Sequence, residues 1–202
     1  MSKPFRCNNI RLFDIEPVTL DVGAGQTLCI TGPSGCGKSL LLRALADLLP
    51  HQGEASFDAR PADEFTPESW RKTVGFLAAE SQWWFDNVAD HFPRGMHQSA
   101  KEMICQLGLD SHALDWQVRR CSTGEKQRLA LVRLLVREPK VLLLDEPTAN
   151  VDATAMTQIE KLIKTYQLQT QCPVVWVSHD DEQVKRVADE VFHCQKQPVV
   201  TA

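Results

Sequence analysis

Gly32-Pro33-Ser34-Gly35-Cys36-Gly37-Lys38-Ser39 decides the fold. The apolar run Thr27–Thr31 before it reads as a strand, and Lys38–Leu49, closed by Pro50, reads as a helix. A strand that turns through glycines into a helix is the setting in which this spacing binds phosphate. The glycines let backbone N–H groups converge, and the helix N-terminus adds its partial positive charge. Lys38 is expected to neutralise the β- and γ-phosphates of ATP, and the Ser39 hydroxyl to ligate Mg²⁺. Leu40 stands where a Ser or Thr often follows, so one hydroxyl contact to the α-phosphate is lost. Residues Gly32 to Leu40 are the candidate nucleotide contacts.

Downstream, the apolar run Val141–Leu144 ends in Asp145 and Glu146. Strand alternation would turn these neighbours to opposite faces, which allows them different work. Asp145 suits the metal beside Ser39, and Glu146 suits the polarisation of a water aimed at the γ-phosphate. After this point helix Ala153–Tyr166, strand Val174–Val177, helix Asp181–Ala188 and strand Val191–Cys194 alternate. Near-continuous apolar strands between helices indicate a parallel sheet covered on both faces.

Upstream, Phe5–Ile10 and Val18–Val22 read as further strands, with a turn at Gly23-Ala24-Gly25. Residues 61–67 read as loop before a strand at Thr73–Ala78. From about residue 86 to 117 the pattern turns helical (Met103, Ile104, Leu107), with breakers at Pro93-Arg94-Gly95 and Gly108. An amphipathic helix follows over Gly124–Arg137, with Leu129, Val132, Leu135 and Val136 at helical spacing. The expectation is one α/β domain over residues 1–202, with its core at about 1–85 and 135–202 and a helical lobe at about 86–134.

The chain has 202 residues, a hydrophobic fraction of 43% and a formal net charge of -4, which suit one packed domain and offer no broad basic face for nucleic acid. Seven cysteines, none in a C-x-x-C pair, suggest neither a zinc knuckle nor a disulfide framework. A reducing, cytoplasmic setting fits them. No apolar run reaches the roughly 18–20 residues needed to span a bilayer, and the N-terminus lacks a secretion signal's apolar segment.

Cys121-Ser122-Thr123-Gly124-Glu125-Lys126-Gln127-Arg128 resembles the signature segment of ABC ATPases, usually Leu-Ser-Gly-Gly-Gln or -Glu. With Asp145-Glu146-Pro147-Thr148 and Ser178-His179-Asp180 downstream, the resemblance covers nearly the whole chain. The phosphate loop and the short length are also similar to those of small subunits of the metal- or iron-export type. The resemblance implies a P-loop NTPase fold: a RecA-like parallel core, an N-terminal antiparallel β portion and an inserted helical lobe. It implies an ATP hydrolase that powers a separate transmembrane permease from the inner face of the cell membrane. It further implies a homodimer, or a heterodimer with a second ATPase subunit, sandwiching two ATP. Ser122, Thr123, Gly124 and Glu125 of one chain would meet the nucleotide held by the other, and His179 would contact its γ-phosphate.

Several positions depart from the family pattern. Thr123 adds a Cβ where glycine is usual, and Cys121 replaces leucine. The glutamine expected after Thr73–Ala78 falls on Ala79, with Glu80 adjacent and Gln82 near. Ala149-Asn150-Val151-Asp152 keeps only the aspartate of the usual Ser-Ala-Leu-Asp. Phe13 is the convenient candidate for stacking on adenine, and a packing role suits it equally. Trp83-Trp84-Phe85 suits either core or a docking cleft for the permease. The departures at Ala79 and Thr123 keep open a degenerate, regulatory ATP-binding half, and a soluble ABC-type ATPase is a second alternative. A P-loop kinase would leave Cys121–Arg128 unexplained.

Overall fold

The computed structural model describes residues 3–12 and 15–195. Strict alternation builds the first sheet. β1 (Phe5–Arg11) buries Phe5, Cys7 and Ile10, and β2 (Val18–Val22) buries every second residue. The pairing register of β1 slips between Cys7 and Ile10, where Asn9 takes a left-handed φ of 53°. This bulge inserts the residue that returns Ile10 to the buried face. β4 (Gln52–Phe57) and β5 (Arg60–Pro61) complete an antiparallel sheet in the order β2-β1-β4-β5 once β3 (Thr27–Thr31) and α1 (Lys38–Leu45) have intervened.

The second sheet is wholly parallel. α2 (Pro67–Thr73) leads into β6 (Val74–Leu77). Then follow α3 (His97–Gln106), α4 (Thr123–Leu135), β7 (Val141–Asp145), α5 (Ala153–Thr170), β8 (Val174–Val177), α6 (Asp181–Val187) and β9 (Glu190–His193). The strand order is β6-β7-β8-β3-β9. β7 and β8 are buried at every residue, as strands covered on both faces must be. The order sets β3, β8 and β7 side by side, so the segments leaving their C-terminal ends share one edge, the place where open α/β sheets bind ligands.

Element ends differ from the sequence reading where capping decides them. The first helix stops at Leu45, four residues before Leu49. Asp47 takes a φ of 57°, its N–H bonds Ala44 O and that of Leu48 bonds Arg43 O, a Schellman ending made without glycine. The stretch read as loop closes on α2, started by the Thr66 hydroxyl, which accepts from Ser69 N at 3.2 Å, with Pro67 in the first turn. Trp70 on that helix is fully buried and donates to Leu45 O at 3.0 Å.

The lobe is one α-helix, α3, among short 3₁₀ turns at Val88–His91, Arg94–Met96, Ala113–Asp115 and Val118–Arg120. Its buried Ala100, Ile104, Leu107 and Leu114 share one apolar cluster with Leu129 and Val132 of α4 and with Leu142 and Leu144 of β7. At its entrance His91 holds the Trp83-Trp84-Phe85 turn. Its Nε2 accepts from the backbone N–H groups of Trp84 and Phe85, both at 3.0 Å, so the ring proton sits on Nδ1, 3.1 Å from Asn87 O. The imidazole is buried against the rings of all three aromatics, at 4.7 to 5.1 Å between centroids. Arg133 of α4 lies over Trp83 and Trp84 and donates to Gln82 O.

Burial holds the His91 pKa below its ordinary value of 6.5, with the nearby Arg133 charge adding to that direction. The unfolded chain therefore binds this proton more readily than the folded one. Stability contributed here is present at neutral pH and falls as pH drops through about 6.5. Thermal unfolding followed between about pH 7.5 and about pH 5.5 should show a steeper loss in the wild type than in His91→Gln. Equal slopes in the two proteins would remove His91 as the titrating group.

Candidate functional site

Three loops meet at the shared edge of the parallel sheet. Between β3 and α1 the phosphate loop runs through left-handed glycines, Gly32 with φ 138° and Gly37 with φ 102°. Both must lack a side chain: a Cβ at Gly37 would stand 2.1 Å from Ile15 Cδ1, and one at Gly32 would stand 2.4 Å from Cys194 O. Gly37 caps α1 with no side-chain hydrogen bond, so the first N–H groups of that helix are left to an outside acceptor. Pro33, Ser34 and Gly35 are exposed, Cys36 is buried, and half-buried Leu40 packs against the apolar cluster beneath. Lys38 is buried, and its ammonium donates to Gly32 O at 2.8 Å and Pro33 O at 3.1 Å.

The Ser39 hydroxyl donates to Asp145 Oδ1 at 3.0 Å. Asp145 ends β7 and is 2% exposed. Burial raises its carboxyl above the ordinary value and the Glu146 charge adds to the rise, against the Ser39 hydrogen bond, the Arg43 charge and the backbone N–H of Ala79. A part-buried hydroxyl–carboxylate pair of hard oxygen donors, beside the uncapped start of α1, fits a magnesium nucleotide.

Glu146 departs from the strand alternation read from the sequence. It lies beyond β7 with a left-handed φ of 47°, its N–H bonded to Val177 O at 3.1 Å. That turn, and not the pleat, sets its carboxylate beside His179, whose Nδ1 lies 3.2 Å from Glu146 Oε2. His179 is exposed and follows β8, next to β7 in the sheet.

A buried amide joins these two loops, and sequence reading missed it. Gln183, 1% exposed on α6, accepts from Ser178 Oγ at 3.0 Å and donates to Thr148 Oγ1 and Glu160 Oε1, both at 2.9 Å. It thereby ties the segment after Glu146 to the segment before His179. Ser178 Oγ also accepts the Asp180 N–H at 3.1 Å, and Asp180 caps α6. The one sequence signal was a glutamine three residues beyond that cap, inside what reads as an ordinary amphipathic helix.

The signature segment begins α4. Ser122 is its N-cap in a full capping box with Glu125: Ser122 Oγ accepts from Glu125 N at 3.2 Å, and Ser122 N donates to Glu125 Oε2 at 2.7 Å. Glu125 thus serves its own helix, while Ser122 and Thr123 are exposed at the tip. The crowded position is Gly124, where a Cβ would stand 2.9 Å from Asn150 O; Thr123 meets no such demand. Asp152 caps α5, accepting from Ala155 N at 2.9 Å. Gln127 is buried and donates to Ala78 O at 3.1 Å, which fixes α4 against the end of β6. Glu80 and Gln82 are exposed. Phe13 lies outside the described residues. Trp84 and Phe85 are 64% and 50% exposed, while Trp83 is partly buried. Trp84, Gln82 and Glu80 line a cleft of about 310 Å³ with Arg133 and Arg137.

The protein-family profile described as ABC transporter matches residues 15–149. The aliphatic sulfonates import ATP-binding protein SsuB 2 of Agrobacterium fabrum is 33% identical over 190 residues, spanning 92% of this chain and 72% of that protein. The probable iron export ATP-binding protein FetA of Escherichia coli is also 33% identical over 190 residues, spanning 90% of this chain and 84% of its own. A solved ATP binding subunit of an ABC transporter superposes with a TM-score of 0.85 at 16% identity, over 95% of this chain and 85% of that one, which establishes the P-loop NTPase fold. No helix among the described residues is long and apolar enough to cross a membrane. The convergence of phosphate loop, acidic strand end and histidine at one sheet edge thus coincides with relatives matched along nearly the whole chain: the protein belongs to the ABC transporter family and is an ATPase of that kind.

Proposed function

We propose that this chain is the motor subunit of a transporter: two copies, or one copy and a related ATPase subunit, close on two ATP molecules and release after hydrolysis, driving a separate permease. The observation that carries this reading is the placement of Ser39–Asp145 and Glu146–His179 at the ends of adjacent strands, with the α4 tip exposed. Ser39 and Asp145 would hold Mg²⁺, which neutralises phosphate charge when bound. The uncapped N–H groups at the start of α1 and the Lys38 ammonium would bind the phosphates of ATP. Glu146 accepts the proton of the attacking water at its carboxylate. His179, whose Nδ1 lies 3.2 Å from Glu146 Oε2, would hold that carboxylate in place. Ser122 and the first N–H groups of α4 would reach the γ-phosphate bound by the opposite chain, since they face outward from their own.

The retained Glu146–His179 pair favours hydrolysis over a degenerate regulatory half. The side-chain-free position demanded by the structure is Gly124, so Thr123 is compatible with an intact signature segment. We assign residues 86–134 as the lobe that receives the permease, with Trp84 at the cleft beside Arg133 and Arg137 and exposed Phe85 next to it in sequence. Exposed aromatics beside arginines fit a docking helix that carries apolar and acidic residues. The protein would then sit in the cytoplasm against the inner membrane face. The relatives' named cargoes differ, sulfonates for one and iron for the other, which supports leaving cargo choice to the permease.

Lys38→Ala should weaken ATP binding roughly 10- to 100-fold by calorimetry, the worth of a lost charge-assisted contact. Glu146→Gln should bind ATP normally, lose roughly 10²- to 10⁴-fold in turnover and accumulate as an ATP-held dimer on gel filtration. Turnover at the wild-type rate would overturn the assignment of the base.

Gly124→Ala separates the two halves of the composite site. Its methyl group displaces the α4 tip from Asn150, so ATP should bind one chain unchanged while turnover falls by about tenfold or more. Trp84→Ala should abolish co-purification of a polytopic partner with Glu146→Gln protein from detergent-solubilised membranes. A partner retained in full would move docking away from this cleft.

A further inference from the structure

The network around Gln183 reaches past the two hydrolytic loops to α5. There Glu160, its side chain 14% exposed, meets Arg186 of α6 through both oxygens: Oε1 with Nη2 at 2.9 Å and Oε2 with Nε at 3.2 Å. The same Oε1 accepts from Gln183 Nε2 at 2.9 Å. A carboxylate paired with a guanidinium stays ionised and can only accept, so it fixes which end of the amide faces it. The amide nitrogen turns to Glu160, and the amide oxygen is left to accept from Ser178 Oγ at 3.0 Å. The Ser178 hydroxyl spends its one proton on that bond, and its oxygen takes the Asp180 N–H.

This chain of directed bonds ends beside the reacting groups. Thr148, bonded to Gln183 Nε2 at 2.9 Å, stands two residues after Glu146, and Ser178 immediately precedes His179. The side chains of Glu146 and His179 are themselves 31% and 72% exposed, so packing around them does little to fix their separation. A base displaced by about 1 Å can lose about 10²-fold in rate.

We propose that Gln183 is a positioning residue for hydrolysis: its amide holds the loops of Glu146 and His179 in register, and the Glu160–Arg186 pair sets the direction in which that amide faces. The role rests on Glu146 as the base proposed above. Gln183 touches neither nucleotide nor water; it acts through Thr148 and Ser178.

The ionisable groups at this amide are Glu160, Arg186 and Asp180, whose carboxylate accepts the Gln183 backbone N–H at 3.2 Å. Gln183→Glu therefore sets a second carboxyl against Glu160, with Arg186 keeping Glu160 ionised. At low pH the new carboxyl is protonated and donates to Glu160 as the amide did; at high pH the two charges repel and the loops lose their register.

Phosphate release from MgATP by the full chain, taken at each pH as the ratio of Gln183→Glu to wild type, tests this. The ratio should lie within about threefold of one at about pH 6 and fall by about tenfold or more at about pH 9, with affinity for a fluorescent ATP analogue unchanged. Glu160→Gln/Gln183→Glu exchanges amide and carboxylate, should recover turnover at about pH 9, and carries the test if the single variant fails to fold. A pH-independent ratio, a ratio that falls in step with ATP affinity, or no recovery in the exchanged pair overturns the positioning role. Glu146→Gln assayed alongside keeps the two assignments apart: wild-type turnover there overturns the base itself, whereas a silent Glu146→Gln beside a flat Gln183→Glu ratio overturns the role of Gln183 alone.

Discussion

The hydrogen bond from Ser39 to Asp145 is the contact on which the rest of the structure depends. It spans 106 residues of sequence and joins the loop after β3 to the end of β7, although β8 lies between those strands. Such a contact forms only if the parallel order is correct, so the topology and the chemistry are specified together. Its energetic character follows from burial. Asp145 sits where its charge is disfavoured, held there by a hydroxyl, a backbone N–H and the Arg43 charge. A carboxylate kept under such conditions is primed for a cation, because an ion restores what desolvation removed.

Around this pair the fold uses buried amides as ties. Gln183 links the loops after β7 and β8, and Gln127 anchors α4 to the end of β6. Both amides are almost wholly buried, and each spends its hydrogen bonds on segments that carry site residues. Buried polar networks of this kind are costly when half-made, which makes them specific when complete. The site is thus positioned from below by side chains that have no chemistry of their own to perform.

Much of this was legible in the sequence, and the limits have physical reasons. The strand Val174–Val177 and the start of α5 at Ala153 were read correctly because burial on both faces and an Asp152 cap leave clear traces. The phosphate loop was legible because its glycines answer local backbone demands. The end of α1 was not, since Asp47 adopts a conformation usually left to glycine. Helix α2 was missed because its Thr66-Pro67 cap sits in a segment rich in turn residues. Glu146 was assigned a plausible direction for the wrong reason: a left-handed turn, invisible to a period-two pattern, aims its side chain. Gln183 gave no warning, because a helix period marks inward positions without saying which of them carry polar ties.

One contact bears on how two such chains would communicate. Gly124 lies so close to Asn150 that no methyl group fits between them. The tip of α4 and the turn that follows Glu146 are therefore in register, and neither can shift without the other. In the proposed closed pair, that tip would face the opposite nucleotide while the turn belongs to Glu146, the base proposed for the chain's own site. Occupancy of one nucleotide site in such a pair would then constrain the geometry of its twin, and the free energy of the two binding events would be shared. The dimer would respond to ATP as a threshold device, with a sigmoidal dependence on concentration, rather than as two independent enzymes.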